Sequence, residues 1–254
     1  MKTKTSQGIR IKSSNEVDIL RKAGKILSSI VVQLQGSLTS GMSTKDIDLK
    51  AEELIRRSKV VSAFKGYHGF PGTTCISVNE VVVHGIPDKR IIKDGDIVSL
   101  DIGIIYKGYY SDTAVTVPIG NISPEAWCLL DVTKASLSRG IEQARVGNRL
   151  SDISFAVQSF VEMHGFSVVR DFVGHGIGRQ LHEEPEIPNY GRPGQGPILQ
   201  EGMVFAIEPM VNMGTHHTKT LSDGWTVVTE DGKPSAHFEH TIVITPKGPE
   251  ILTQ

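Results

Sequence analysis

Four carboxylates stand against runs of apolar, β-branched residues, two in each half of the chain. Gly95-Asp96-Ile97-Val98-Ser99-Leu100-Asp101 and Gly202-Met203-Val204-Phe205-Ala206-Ile207-Glu208 read almost as copies, and each ends its apolar run on an acid. A further acid follows each: Asp112 heads Thr113-Ala114-Val115-Thr116-Val117-Pro118, and Glu239 heads His240-Thr241-Ile242-Val243-Ile244-Thr245-Pro246. An ionised side chain that faces the interior unpaired is costly. Four acids with a common destination therefore imply a shared cationic partner, and two divalent ions balance four carboxylates in charge. With His175 the candidate ligands are Asp101, Asp112, His175, Glu208 and Glu239. Carboxylate oxygen with one imidazole suits Mn, Co, Fe or Zn. Water bridging two such ions loses a proton near neutral pH and becomes a nucleophile, while the ions polarise a carbonyl.

The elements that must position these acids are legible from local signals. Ser13-x-x-Glu16 is a capping box, after which Val17, Leu20, Ala23, Leu27, Ile30 and Leu34 recur at helical spacing until Gly36. A second helix is expected from near Ser43, with Ile47, Ala51 and Leu54 on one side. Ser123-Pro124 opens a third, striped by Leu130, Thr133, Leu137, Ile141 and Ala144. Gly147-x4-Asp152-Ile153 repeats Gly41-x4-Asp46-Ile47 at an offset of 106 residues and introduces a fourth helix ending near Gly165. Asp101 and Glu208 stand 107 residues apart. Two motifs at nearly one offset indicate a duplicated unit of two helices followed by strands.

Along Ile97 to Ile105, Val98, Leu100, Ile102 and Ile104 face one way and Asp101 the other. A turn at Tyr106-Lys107-Gly108 then leads into a second strand, Tyr109 to Val117. That hairpin places Asp101 and Asp112 on one face, directly across or one diagonal step apart, with Cβ atoms roughly 4.5–8 Å from each other. Helices followed by antiparallel strands fit an α+β fold better than a βαβ series. One catalytic domain over residues 1–254 is expected, with halves of about 12–122 and 123–250 sharing a sheet and a core.

Composition excludes several function classes. The 254 residues, 39% hydrophobic, suffice for a large core, and 27 basic against 28 acidic side chains give no broad surface for DNA or membrane. Arg56-Arg57 and Lys89-Arg90 read as solvated patches. Cys75 and Cys128 are too few for a disulfide framework and fit a reducing cytoplasm. The polar stretch Met1 to Gly8 has no signal-peptide core, and no apolar run is long enough to span a bilayer.

Six linked motifs carry a resemblance over nearly the whole chain, from about Glu16 to about Thr245. They are His84-Gly85-Ile86-Pro87, Asp101 with Ser111-Asp112, Gly174-His175-Gly176-Ile177-Gly178, His182-Glu183-Glu184-Pro185, Glu208-Pro209 and Glu239-His240-Thr241. In order and context they resemble the type I methionine aminopeptidases. The resemblance implies a pseudo-twofold pita-bread fold around a dinuclear centre. In it Asp101 chelates one metal, Asp112 and Glu239 bridge both, and His175 and Glu208 complete the other, with Glu208 also shuttling a proton. It further implies that His84 and His182 are catalytic histidines outside the metal shell, bonded to the scissile amide. Tyr67, Phe70, Cys75, Leu181 and Trp225 match a methionine-binding pocket, although Leu181, Phe64 and Phe70 depart from the usual residues there. Asn79, Val81 and Ser235 match a monovalent-cation site for Na or K. The implied partners are nascent polypeptide N-termini and, at the family level, the ribosome, with the enzyme a monomer.

Competing readings are weaker. Gly174 to Gly178 lacks the spacing of a dinucleotide loop, since Arg179 follows, and His182-Glu183-Glu184 is no zincin helix because Glu186 stands where the second histidine belongs. Cys75 has no recognisable base beside it. Only 26 residues separate His182 from Glu208, too few for the insertion of type II enzymes. An extra N-terminal domain like that of prolidase and aminopeptidase P is not expected. A peptidase cleaving before proline, and a pita-bread module that only binds, are the two alternatives.

Overall fold

The computed structural model describes Thr5 and residues 8–254; the rest of the polar N-terminal stretch, expected to carry no signal peptide, lies outside the described residues. Helix α1 (Ser14–Gln35) begins at a full capping box between Ser13 and Glu16 and ends on Gly36, as its sequence signals. Ser43 caps α2 (Thr44–Arg57) in the same way through Asp46. The first half then forms β1 (Val61–Ser62), β2 (Cys75–Val78), β3 (Val81–Val83), β4 (Ile97–Tyr106) and β5 (Tyr109–Pro118). Strand β4 is the spine: β5 lies along one edge, and β2 and β1 lie end to end along the other.

The second half repeats the helices as α3 (Pro124–Gln143) and α4 (Leu150–Met163). Strands β6 (Ser167–Val168), β7 (Gly174–Gly176), β8 (Glu183–Ile187), β9 (Val204–Ile207) and β10 (Met210–Asn212) follow. After them come β11 (Thr218–Thr220), β12 (Val227–Thr229), β13 (Ser235–His237), β14 (His240–Thr245) and β15 (Gly248–Ile251). A five-stranded sheet runs β15-β14-β9-β7-β8, and two three-stranded sheets run β13-β10-β6 and β11-β12-β3. Among the described residues every strand pair is antiparallel, which with their four α-helices gives the α+β class read from the sequence.

The duplication extends to backbone hydrogen bonds. Gly41 N–H donates to Ile92 O and Gly147 N–H to Leu199 O, while Ile92 N–H returns to Met42 O and Leu199 N–H to Asn148 O. Gly41 and Gly147 both have a positive φ, 96° and 93°, so the same left-handed turn precedes α2 and α4. The halves are sewn together at β5. Thr116 Oγ1 donates to His237 O and accepts from His237 N–H; Thr113 Oγ1 donates to Glu239 O; Glu239 N–H donates to Ala114 O.

Side-chain alternation sends the apolar and acidic residues to opposite faces. Val98, Leu100, Ile102 and Ile104 pack with Leu27, Ile30 and Leu34 of α1 and Ile47, Ala51 and Leu54 of α2. Phe205, Ile207, Ile242 and Ile244 pack with Leu129, Leu137 and Ile141 of α3 and Ile153 and Val157 of α4. The helices therefore cover the outer face of each half, and the acids are left on the inner face. The β4–β5 turn is tighter than expected: Tyr106 pairs with Tyr109, leaving only Lys107 and Gly108, both with φ > 0, as a two-residue hairpin turn.

Candidate metal centre

Register fixes the first pair of acids. Asp101 pairs with Ala114 and Asp112 with Gly103, so the two carboxylates are one diagonal step apart on the inner face of the hairpin. Asp112 lies within β5, whereas Glu239 occupies the irregular step between β13 and β14, and Glu208 follows the end of β9 just before Pro209. His175 sits at the centre of β7, whose partner β9 leads into Glu208. Ligand atoms of Asp112, His175 and Glu239 all lie within 4.8 Å of one another. His175 Nε2 is 3.4 Å from Glu208 Oε1. Its Nδ1 is 2.9 Å from Gly176 O, and a carbonyl can only accept, so the proton resides on Nδ1 and Nε2 presents its lone pair to the acids.

These residues line a cavity of about 350 Å³ together with His84, His182, Tyr67, Phe70, Cys75, Leu181 and Trp225. His84 follows β3 with φ +58°, a conformation uncommon for a side chain of this size, and its ring meets Phe172 and Trp225 edge-on. The His182 ring stands 4.4 Å from that of His175, and Tyr67 Oη is 2.8 Å from His182 Nδ1. Phe70 and Trp225 meet at 5.1 Å as an apolar wall. Cys75 pairs across the sheet with Asp101, and burial pushes its thiol pKa well up, which disfavours a thiolate nucleophile.

Asn79, Val81 and Ser235 fall outside the cavity lining but adjoin one another: Ser235 N–H donates to Asn79 O at 2.8 Å, and Asn79 holds φ +53° with its side chain bonded to Asp96 and to Ile97 N–H. His237 is one of several cavity residues with no counterpart among the sequence candidates, and the one that approaches the acids. His237 is buried, and its Nε2 is 3.8 Å from Glu208 Oε2, so two imidazoles rather than one approach the acids. Alternation was the available signal, since His237 and Glu239 are two residues apart in an extended segment.

The electrostatics are those of acids without a counter-ion. Burial, with Asp112 as neighbour, raises Asp101 well above the ordinary carboxylate value. Burial and then the surrounding acids do the same to Glu208 and Glu239, and burial pushes Asp112 up to about 7. Burial lowers His84 to about 4 and His175 and His237 to about 3, so all three are neutral at pH 7. Among the described residues that line the cavity there is no lysine or arginine. Asp101 Oδ1, Glu239 Oε1 and His237 Nε2 are shielded and have no hydrogen-bond partner among the described residues. Hard oxygen donors, a correctly oriented imidazole nitrogen and unsatisfied buried acceptors fit divalent metal.

Comparison with known proteins agrees with this chemistry. The profile of metallopeptidase family M24 matches residues 18–246. The chain is 56% identical to the methionine aminopeptidase of Clostridium perfringens (strain 13 / Type A) over 96% of its own length and 98% of that protein's. It is 53% identical to methionine aminopeptidase 1 of Bacillus subtilis (strain 168), again over 96% and 98%. The crystal structure of the Thermotoga maritima methionine aminopeptidase superposes with a TM-score of 0.95 at 46% identity, covering 97% of this chain and 99% of that one. The prolidase of Pyrococcus furiosus, 24% identical, shares the fold with a TM-score of 0.79 over 96% of this chain and 65% of its own. The fold is the pita-bread arrangement common to these proteins.

Proposed function

The chain belongs to metallopeptidase family M24, and from that premise we propose that it is a metal-dependent aminopeptidase removing the N-terminal methionine of peptides and nascent proteins. The observation that carries this reading is the convergence of acids from both halves on His175, inside a cavity walled by apolar side chains.

Asp101, Asp112, His175, Glu208 and Glu239 would hold two divalent ions, with Co, Mn, Fe and Zn the candidates by donor type. When bound, such a pair supplies an activated water at neutral pH and polarises the scissile carbonyl. The remaining steps fall to the chain itself. Tyr67, Phe70, Cys75, Leu181 and Trp225 receive the methionine side chain, for which an aromatic, polarizable wall is suited. Among these, Leu181 with neighbouring Phe64 sets the depth of the pocket. The free α-amine is held beside the acids, which restricts cleavage to chain ends. His84 and His182, uncharged at neutral pH, hydrogen-bond the scissile amide and the developing oxyanion. Tyr67 Oη and His182 Nδ1 share a hydrogen bond of 2.8 Å, and in the tautomer in which Tyr67 donates, His182 carries its proton on Nε2 as a donor. Glu208 carries a proton towards the leaving amine. A bulky second residue would crowd His84 and His182, so small ones are preferred.

Residues 1–254 act as one catalytic domain and as a monomer, in the cytoplasm, on chains emerging from the ribosome. Among the described residues no helix is long and apolar enough to cross a membrane. Asn79, Val81 and Ser235 are assigned to a Na or K ion. The deciding experiment strips the protein with chelator, restores Mn, Co, Fe and Zn singly, and follows methionine release from Met-Ala-Ser alongside X-Pro peptides. Methionine release with at least one metal, and none before proline, is expected. Cleavage confined to X-Pro peptides, or no turnover with any metal, would sink the reading.

A further inference from the structure

Behind the cavity lies a buried ion pair that the reaction does not use. Lys12 and Glu183 are 171 residues apart in sequence, yet Lys12 Nζ meets Glu183 Oε2 at 2.9 Å, with side chains 5% and 2% exposed. Glu183 directly follows His182. Its other oxygen, Oε1, accepts the backbone N–H of Arg179 at 2.8 Å and of Gln180 at 3.2 Å. One carboxylate thus closes the turn that presents His182 and ties it to the segment preceding α1.

The surroundings are shaped to admit this lysine. A Cβ on Gly178 would stand 2.7 Å from Lys12 Cε and 3.0 Å from Glu183 Oε1, and one on Gly202 would stand 2.7 Å from Lys12 O. Lys12 N–H donates to Gly202 O at 2.9 Å. Further contacts from the first half hold the same turn: Tyr110 N–H donates to Gly178 O at 2.7 Å, and the Arg179 guanidinium lies 4.5 Å from the Tyr109 ring centroid. Tyr109 in turn donates to Glu16 Oε1 at 2.8 Å. His182 is therefore carried by the second half but held from the first.

We propose that Lys12 is a positioning residue for His182: by neutralising buried Glu183 it fixes the turn 178–183, and with it the placement of the His182 ring over His175. The proposal rests on the reading that His182 acts on the substrate. Without Lys12, Glu183 is a lone buried charge that must draw in water or a proton, and either weakens its hold on the Arg179 and Gln180 amides. A displacement of about 1 Å at a reacting group costs up to about 10²-fold in rate.

The test compares metal-loaded wild type, Lys12→Met, His182→Ala and the double variant for kcat and KM on Met-Ala-Ser. Metal content by elemental analysis and amide hydrogen exchange at Arg179 and Gln180 are measured alongside. Lys12→Met should lower kcat about 10- to 100-fold, leave KM and metal content unchanged, and speed exchange at both amides. Added to His182→Ala, it should lower kcat by no more than about twofold, because its effect passes through the missing ring. Equal losses in both backgrounds, or an unchanged kcat in Lys12→Met, overturn the proposal alone. A wild-type kcat in His182→Ala overturns the reading of His182 and the proposal with it. Should Lys12→Met not fold, Lys12→Met with Glu183→Ala takes its place in the same comparison. It leaves no lone charge and removes the acceptor of both amides, so the same kcat loss is expected and an unchanged kcat overturns the proposal.

Discussion

Glu183 and Glu239 are both buried in the second half, and the chain treats them in opposite ways. Glu183 receives a lysine and two backbone amides, so its charge is neutralised and both oxygens are bonded. Asp48, a buried residue of α2, is handled similarly by Thr73 N–H, Thr74 N–H and Lys45. Glu239 has neither: its Oε1 is unpartnered among the described residues and its neighbours are Asp101, Asp112 and Glu208. A fold that supplies a lysine to each of Glu183 and Asp48 has withheld one from the four acids that surround His175. The lesson is that the second cluster is built around a charge brought from outside, and its acids are poorly satisfied until that charge arrives.

The most severe way to break the contrast is Asp112→Ala. Removing the acid whose oxygen lies within 4.8 Å of the His175 and Glu239 ligand atoms should abolish both metal loading and turnover, and normal metal content by elemental analysis would refute its place in the centre. His84→Ala touches the cavity without touching the ligands. It should keep the metal and lower kcat by roughly 10²–10⁴-fold, measured on Met-Ala-Ser; an unchanged rate removes His84 from the chemistry. On the satisfied side, Lys12→Met should cost about 3–5 kcal/mol in urea denaturation, because Glu183 is then buried without a partner. Pairing it with Glu183→Gln should recover much of that loss.

The pH dependence of stability sharpens the comparison further. Above about pH 6.5 histidines are neutral whether folded or unfolded. The unfolded chain's carboxylates are ionised there, but in the metal-free fold burial pushes Asp112 up to about 7, and burial with the neighbouring acids holds Asp101, Glu208 and Glu239 well above the ordinary carboxylate value. The folded state then binds more protons, so metal-free stability should fall as pH rises through 7. Below about 6.5 the sign of the histidine contribution is opposite. His84 and His240, lowered to about 4, and His175 and His237, lowered to about 3, stay neutral while the unfolded chain takes up protons, which costs stability as pH falls. Metal binds the ionised acids, so its affinity should rise with pH and cancel the alkaline decline. Urea titrations of metal-free and loaded protein across this range check it; a metal-free stability that stays flat as pH rises through 7 would mean the acids ionise without help. The smallest effect belongs to a pair in solvent. Lys65 and Glu52 meet at 2.6 Å with both side chains about half exposed, and Lys65→Met should change stability by less than about 1 kcal/mol.

Much of the scaffold was legible from short-range chemistry. The capping boxes at Ser13 and Ser43 and the Ser123-Pro124 start act over three or four residues, so they mark helix origins without reference to the rest of the chain. Alternation in β4 separated Asp101 from the apolar face for the same reason. The hairpin narrowed Asp101 and Asp112 to directly opposite or diagonal, and only the two-residue turn at Lys107-Gly108 selected the diagonal. His237 escaped notice because its only signal, alternation with Glu239 two residues on, spans a single step of a short extended segment.

By itself the sequence determined which residues could ligate metal, that the acids come two to each duplicated half with Asp101 and Glu208 107 residues apart, and that each acid ends or heads an apolar run. These are properties of residue type and local period, fixed by backbone geometry over a few residues. Tertiary structure alone decided that Glu208 lies between two imidazoles, that Asp112, His175 and Glu239 come within 4.8 Å of each other, and that Lys12 reaches Glu183 across the halves. Those distances depend on how two sheets curve and are sewn together at β5, a long-range outcome of packing that no spacing along the chain encodes.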